Sequence, residues 1–155
     1  MTTCLNYTKA SPGAYRALEQ LERYVSKCGL EPSLLELVKI RASQLNGCAY
    51  CIDMHTEDAR AAGESEQRIY LLSIWREVSF YSERERAALE WTEAVTLIAG
   101  NPVPDELYER VRPHFTDEGL VNLTLAAAII NVWNRFGISF RTAVGSCQPK
   151  QPFTH

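Results

Sequence analysis

The 155-residue chain has no apolar run of the roughly 18 residues that a helix needs to cross a bilayer, so no membrane span is expected. Its most apolar stretch, Leu123 to Ile130, is too short and leads into Asn131, Asn134 and Arg135. It has no basic cluster, and the formal net charge is -3, which argues against nucleic acid as a principal partner. Met1 to Asn6 lacks the basic-then-apolar pattern of a secretory signal, which makes a cytoplasmic location the default expectation. Sustained two-residue alternation is also missing. Val78 to Tyr81 is the best strand candidate, and its length suits a loop better. There is no internal repeat and no low-complexity segment. The cysteines are few and odd in number: Cys4, Cys28, Cys48, Cys51 and Cys147. Without a secretion signal they do not read as a disulfide framework.

What is present is a helical pattern with an apolar fraction of 46%, enough for the core of one domain. Ser11-Pro12 reads as N-cap and first helical residue, with Tyr15, Leu18, Leu21 and Val25 following at helical spacing to Gly29. A second helix starts near Glu31-Pro32-Ser33 and stops at Gly47; a third runs from about Cys48 to Ala62. Ser65 caps a fourth through Ile69, Leu72 and Trp75, and Ser82 to Glu85 forms a capping box for a fifth that reaches Gly100. Pro104 opens a short sixth ending by Pro113. Thr116 opens the last long helix, in which Gly137 is a candidate bend or break. The expected architecture is an all-α single domain of about six to seven helices. Residues 1–10 form an N-terminal segment, 11–145 the domain, and 146–155, with two prolines, a flexible tail.

The segment from Asn46 to His55 holds the chemistry. Cys48 and Cys51 are separated by two residues, His55 follows four later, and Glu36 lies twelve before Cys48. If the second and third helices form an antiparallel hairpin turning at Gly47, matched counts from the turn face each other, about 8–10 Å apart between axes. Ser43 then opposes Cys51, Lys39 opposes His55, and Glu36 lies within about one helical turn of His55. Cys48, Cys51 and His55, at i, i+3 and i+7, share one face. The expected order along the interface is Cys48, Cys51, His55, Glu36. Unpaired N–H groups at a helix start favour a thiolate. His55 could take a cysteine proton directly or through a water, and Glu36 could orient the imidazole and stabilise its charged form. The blander reading of Glu36 is the return half of a capping box with Ser33.

At these residues the chain resembles the alkylhydroperoxidase AhpD-like branch of the carboxymuconolactone decarboxylase family. The matched pattern is Glu36, eleven residues, then Cys48-x-x-Cys51-x-x-x-His55, flanked by Leu34 to Ser43, Arg84 to Leu89 and Asn131 to Arg135. The resemblance implies an all-helical homo-oligomer, a trimer or hexamer, with antioxidant thiol peroxidase activity. It implies that Cys51 attacks a hydroperoxide and becomes a sulfenic acid. Cys48, nearer the surface, then condenses with it to a disulfide and meets the reductant. His55 and Glu36 match the family's proton relay. The implied partners are a hydroperoxide and a dithiol reductant, a dihydrolipoyl protein or thioredoxin-like donor. No residue is assigned to a cofactor or a resident metal. One departure is Tyr50, where the best-known members carry histidine; a phenol is a poor base at neutral pH, so a shorter relay is expected.

Three alternatives stand beside this reading. Cys48, Cys51 and His55 could hold zinc, for which a fourth ligand is not evident and His114 sits in a loop. The chain could be a structural helical oligomer with a non-catalytic thiol pair, in which Asn131, Asn134 and Arg135 form a packing or subunit network. It could also resemble the lactone-acid decarboxylases of the superfamily, which lack the dithiol. Cys4, Cys28 and Cys147 receive no role.

Overall fold

The computed structural model describes residues 4–145. These residues form eight α-helices: α1 (Tyr7–Ala10), α2 (Pro12–Val25), α3 (Pro32–Asn46), α4 (Ala49–Ala61), α5 (Glu66–Leu71), α6 (Glu83–Thr96), α7 (Asp105–Val111) and α8 (Asp117–Ser139). Two 3₁₀ turns, Leu72–Glu77 and Arg112–His114, follow α5 and α7. The all-α expectation holds, and no strand occurs among the described residues. The additional helix is α1, capped by the Asn6 side chain accepting from the Lys9 N–H. The expected tail, with Cys147, lies outside the described residues.

Helix α3 is the central element and packs against α4, α6 and α8. Its sequence explains the position, because it buries residues on more than one side. Leu34, Leu35 and Val38 join Val25, Ala88, Trp91, Leu123 and Ala126 in one apolar cluster. Leu37 and Ile40 join Ala59, Leu72, Trp75 and Leu89 in a second. Full burial of each such leucine or isoleucine is worth about 1.5–3 kcal/mol against exposure. A helix with apolar residues on two sides has to lie between other helices.

Two local readings differ from expectation. The run from Ser65 to Trp75 is not one helix: α5 ends at Leu71, a 3₁₀ turn follows, and Ile74 leaves helical geometry inside it (φ −120°, ψ 31°). The last helix neither ends nor breaks at Gly137; α8 continues to Ser139. The glycine serves packing, since a Cβ there would lie 3.1 Å from Cys48 Sγ and 3.4 Å from Cys51 Sγ. The α8 backbone can approach the cysteines that closely only without a side chain.

A buried amide network fixes α8 to the end of α3. Asn46 Nδ2 donates to Asn131 Oδ1 at 2.9 Å and to Asn134 Oδ1 at 2.8 Å, and Asn134 Nδ2 donates to Ser43 Oγ at 2.9 Å. Asn131 also donates to Thr96 Oγ1 and the Ala127 carbonyl, and Arg135 donates to the Asn131 carbonyl. The polar residues of α8 thus satisfy one another and α3 within the chain.

Candidate redox site

The turn that builds the site is local. Gly47 adopts φ 70°, a left-handed conformation that favours glycine. The Gly47 N–H donates to the Gln44 carbonyl and the Cys48 N–H to the Ser43 carbonyl, the paired bonds of a Schellman turn. The chain then reverses directly into α4, with Cys48 as its N-cap. Cys48 Sγ accepts from the Cys51 backbone N–H at 3.3 Å, the place that a serine or aspartate oxygen usually takes. Cys48 and Cys51 are joined by a disulfide, with 5.3 Å between their Cα atoms.

Both cysteines are buried, Cys48 at 1% and Cys51 at 2% exposure. This corrects the implication that Cys48 lies nearer the surface. The backbone of α8 at Gly137 lies against its sulfur, whereas Cys51 contributes to the wall of a cavity of about 310 Å³. His55 and Tyr50 line the same cavity, with Tyr15 and Trp133 supplying aromatic wall and Glu22 a carboxylate. Tyr15 and Trp133 meet edge-on, with ring centroids 5.9 Å apart.

The α3–α4 hairpin brings Glu36 to His55 as the count from Gly47 predicts. Glu36 Oε2 lies 2.8 Å from His55 Nδ1. Helix α3 begins at Pro32 with Glu31 as N-cap, so Ser33 does not cap it, and the capping-box reading of Glu36 fails. His55 is buried at 2% exposure, and its hydrogen bond fixes the ring. An ionised Glu36 carboxylate can only accept, which puts the hydrogen of this bond on His55 Nδ1 when Glu36 is charged.

Sequence reasoning placed Lys39 opposite His55 without a role and missed two other members of the cluster, Glu22 and Asp58. Lys39, 3% exposed, donates from Nζ to Glu22 Oε1 at 2.6 Å and to Glu36 Oε1 at 3.3 Å. Burial works against its charge, but the Glu36 and Glu22 carboxylates outweigh that cost and hold the Lys39 pKa above the ordinary lysine value. Glu22 comes from α2, a helix that the hairpin count does not include. Asp58, one turn beyond His55 on α4, is also buried; its ligand atoms and those of Glu36 and His55 lie within 4.8 Å of one another.

The zinc alternative assembles differently from expectation. The cysteines are bonded to each other, and among the described residues the one group of three potential ligands is Glu36, His55 and Asp58, without Cys48, Cys51 or His114. Cys28 and Cys4 are free thiols, Cys28 partly buried and Cys4 exposed.

The model of the carboxymuconolactone decarboxylase family matches residues 12–94, and the chain belongs to that family as an AhpD-like member. It is 47% identical over 146 residues to the uncharacterized protein YdfG of Bacillus subtilis (strain 168), covering 94% of this chain and 99% of that one. It is similar in structure to ATU0492 of Agrobacterium tumefaciens, a protein of unknown function described as a candidate antioxidant defence protein AhpD. That match has a TM-score of 0.91 and 48% identity, and covers 94% of this chain and 100% of the other. A peroxidase-related protein from Ralstonia eutropha JMP134, described as an alkylhydroperoxidase AhpD core, shares the fold at TM-score 0.79 and 20% identity, over 90% of this chain and 74% of its own. No helix among the described residues is long and apolar enough to cross a membrane.

Proposed function

We propose that this protein is a thiol-dependent hydroperoxide reductase. The observation that carries the reading is the position of Cys51. It is disulfide-bonded to Cys48 and opens onto a cavity whose wall also holds His55, itself hydrogen-bonded to Glu36. In the reduced enzyme His55 Nε2 takes the Cys51 thiol proton, directly or through a water, and Glu36 faces the resulting imidazolium. The Cys51 thiolate attacks the distal oxygen of a hydroperoxide. The O–O bond breaks, the sulfur becomes a sulfenic acid, and the alkoxide leaves as the alcohol with the proton held on His55. The Cys48 thiol then displaces water from the sulfenic acid to give the disulfide. An external dithiol restores the two thiols and is itself oxidised. Cavity access supports its approach from the Cys51 side. A dihydrolipoyl or thioredoxin-like protein has the required chemistry. Assembly as a homo-oligomer is part of the same reading.

Thiol titration of the reduced protein before and after one equivalent of an organic hydroperoxide, with mass mapping, tests the reading. The expected result is rapid loss of two thiols and a Cys48–Cys51 linkage. Cys51→Ser abolishes peroxide turnover, while Cys48→Ser leaves a trappable sulfenic acid. Loss confined to Cys4 or Cys147, or a full rate in Cys51→Ser, rejects it.

A further inference from the structure

We propose that Lys39 is a positioning residue for His55: clamped between Glu22 and Glu36, it fixes the Glu36 carboxylate so that one oxygen is committed to the imidazole. This rests on the reading of His55 as the base for Cys51. The four residues form a continuous hydrogen-bonded chain in which Lys39 and His55 are buried and Glu22 and Glu36 partly buried. Glu22 Oε1 accepts from Lys39 Nζ at 2.6 Å, Lys39 Nζ donates to Glu36 Oε1 at 3.3 Å, and Glu36 Oε2 lies 2.8 Å from His55 Nδ1. Glu22 and His55 both line the cavity that reaches Cys51, while Lys39 and Glu36 lie outside its wall. A lysine at 3% exposure is costly to bury unless paired, and the two carboxylates it bonds, Glu22 and Glu36, belong to this cluster.

The geometry gives Lys39 a specific task. A carboxylate free to rotate can offer either oxygen, or neither, to an imidazole. With Oε1 taken by the ammonium, Oε2 faces His55 Nδ1, and the tautomer with the hydrogen on Nδ1 is the one the site accommodates. Nε2 is then the free base. Glu22 extends the clamp across the helix boundary, so α2 is tied through Lys39 to the α3–α4 hairpin. The charged groups facing this cluster are Glu22 from α2, Glu36 and Lys39 from α3, and His55 and Asp58 from α4. The ammonium bonds two of these three carboxylic residues, Glu22 and Glu36, and removal of Lys39 takes its positive charge from between them.

The test reads tautomer and reactivity separately. ¹⁵N-histidine NMR of the reduced wild-type protein is expected to show His55 held in the Nδ1–H form. Lys39→Met removes the clamp. Lys39→Met/Glu22→Gln removes it with one carboxylate fewer and keeps the test available should the single variant fail to fold. In a folded variant, His55 is expected to populate both tautomers, and alkylation of Cys51 by iodoacetamide at pH 7 is expected to slow at least tenfold, with a shifted pH profile. A wild-type His55 without a fixed tautomer overturns the proposal, as does a folded variant with native tautomer order or an unchanged alkylation rate. The arms do not depend on peroxide. A protein that fails to reduce hydroperoxides while Lys39 still controls the His55 tautomer and Cys51 alkylation overturns the peroxidase reading and leaves this one standing.

Discussion

Gly137→Ala brings two opposed energies to one atom. Alanine is preferred over glycine inside a helix by about 1 kcal/mol, and residue 137 lies within α8. The new methyl would lie 3.1 Å from Cys48 Sγ and 3.4 Å from Cys51 Sγ, inside the about 3.5–4.0 Å of a relaxed carbon contact. Cys48 has little freedom to retreat. It is 1% exposed, bonded to Cys51, and takes the Cys51 N–H as N-cap. Overpacking a rigid site costs about 1–3 kcal/mol, so crowding outweighs the helix gain by about 1 kcal/mol. For a chain of this size that lowers the Tm by about 2–4 °C in the oxidised protein. In the dithiol form the sulfurs are not tied together and Cys48 Sγ can turn away, so the penalty is smaller. The variant disulfide is then easier to reduce, by about 20 mV for each kcal/mol of difference. Thermal unfolding of oxidised and reduced protein, with a redox titration against a thiol buffer, measures both effects. An oxidised Gly137→Ala protein as stable as the wild type or more so refutes the argument.

Asn134→Ala leaves Ser43 Oγ without its Asn134 donor and removes one of the two acceptors of the Asn46 amide. Because Asn134 is 0% exposed, the expected loss is about 1–3 kcal/mol in urea unfolding, and a change below about 0.5 kcal/mol would show that the amide network does not hold α8 to α3. Acid should loosen the α5–α6 side of the fold first. Burial alone would raise the Glu93 pKa, but bonds from Trp75, Arg76 and Arg41 outweigh it and hold the carboxyl below its ordinary value of 4.5; Glu85 is lowered against burial by Arg68 and Ser82. Both contribute stability that is complete above about pH 4.5 and is lost as pH falls through their lower folded values. Glu93→Gln is expected to flatten the acid limb of a stability–pH curve, and an unchanged limb would remove Glu93 from the account.

Much of the fold was legible because helix signals are local. Ser82 accepts from the Glu85 N–H while the Glu85 carboxylate accepts from the Ser82 N–H, the capping box that the residues predict. Thr116 caps α8 with half of that arrangement, its hydroxyl accepting from the Gly119 N–H. The misreadings share a cause. Nothing in the run from Ser65 to Trp75 announces that Ile74 leaves helical geometry, which is compatible with any residue type. Gly137 looks like a bend or break, because composition does not show that a disulfide lies against this glycine.

The same division runs through the site. The spacing of Glu36, Gly47, Cys48, Cys51 and His55 determined by itself that a glutamate and a histidine would meet beside a dithiol, since helical periodicity and one left-handed turn fix a hairpin's register. Only the tertiary structure decided that Glu22 reaches Lys39 and completes the cluster, that Cys48 is as buried as Cys51, and that the cavity opens on Cys51. Those features depend on where α2 and α8 settle against the hairpin. That placement is chosen by the packing of side chains far apart in the sequence, which no local period records.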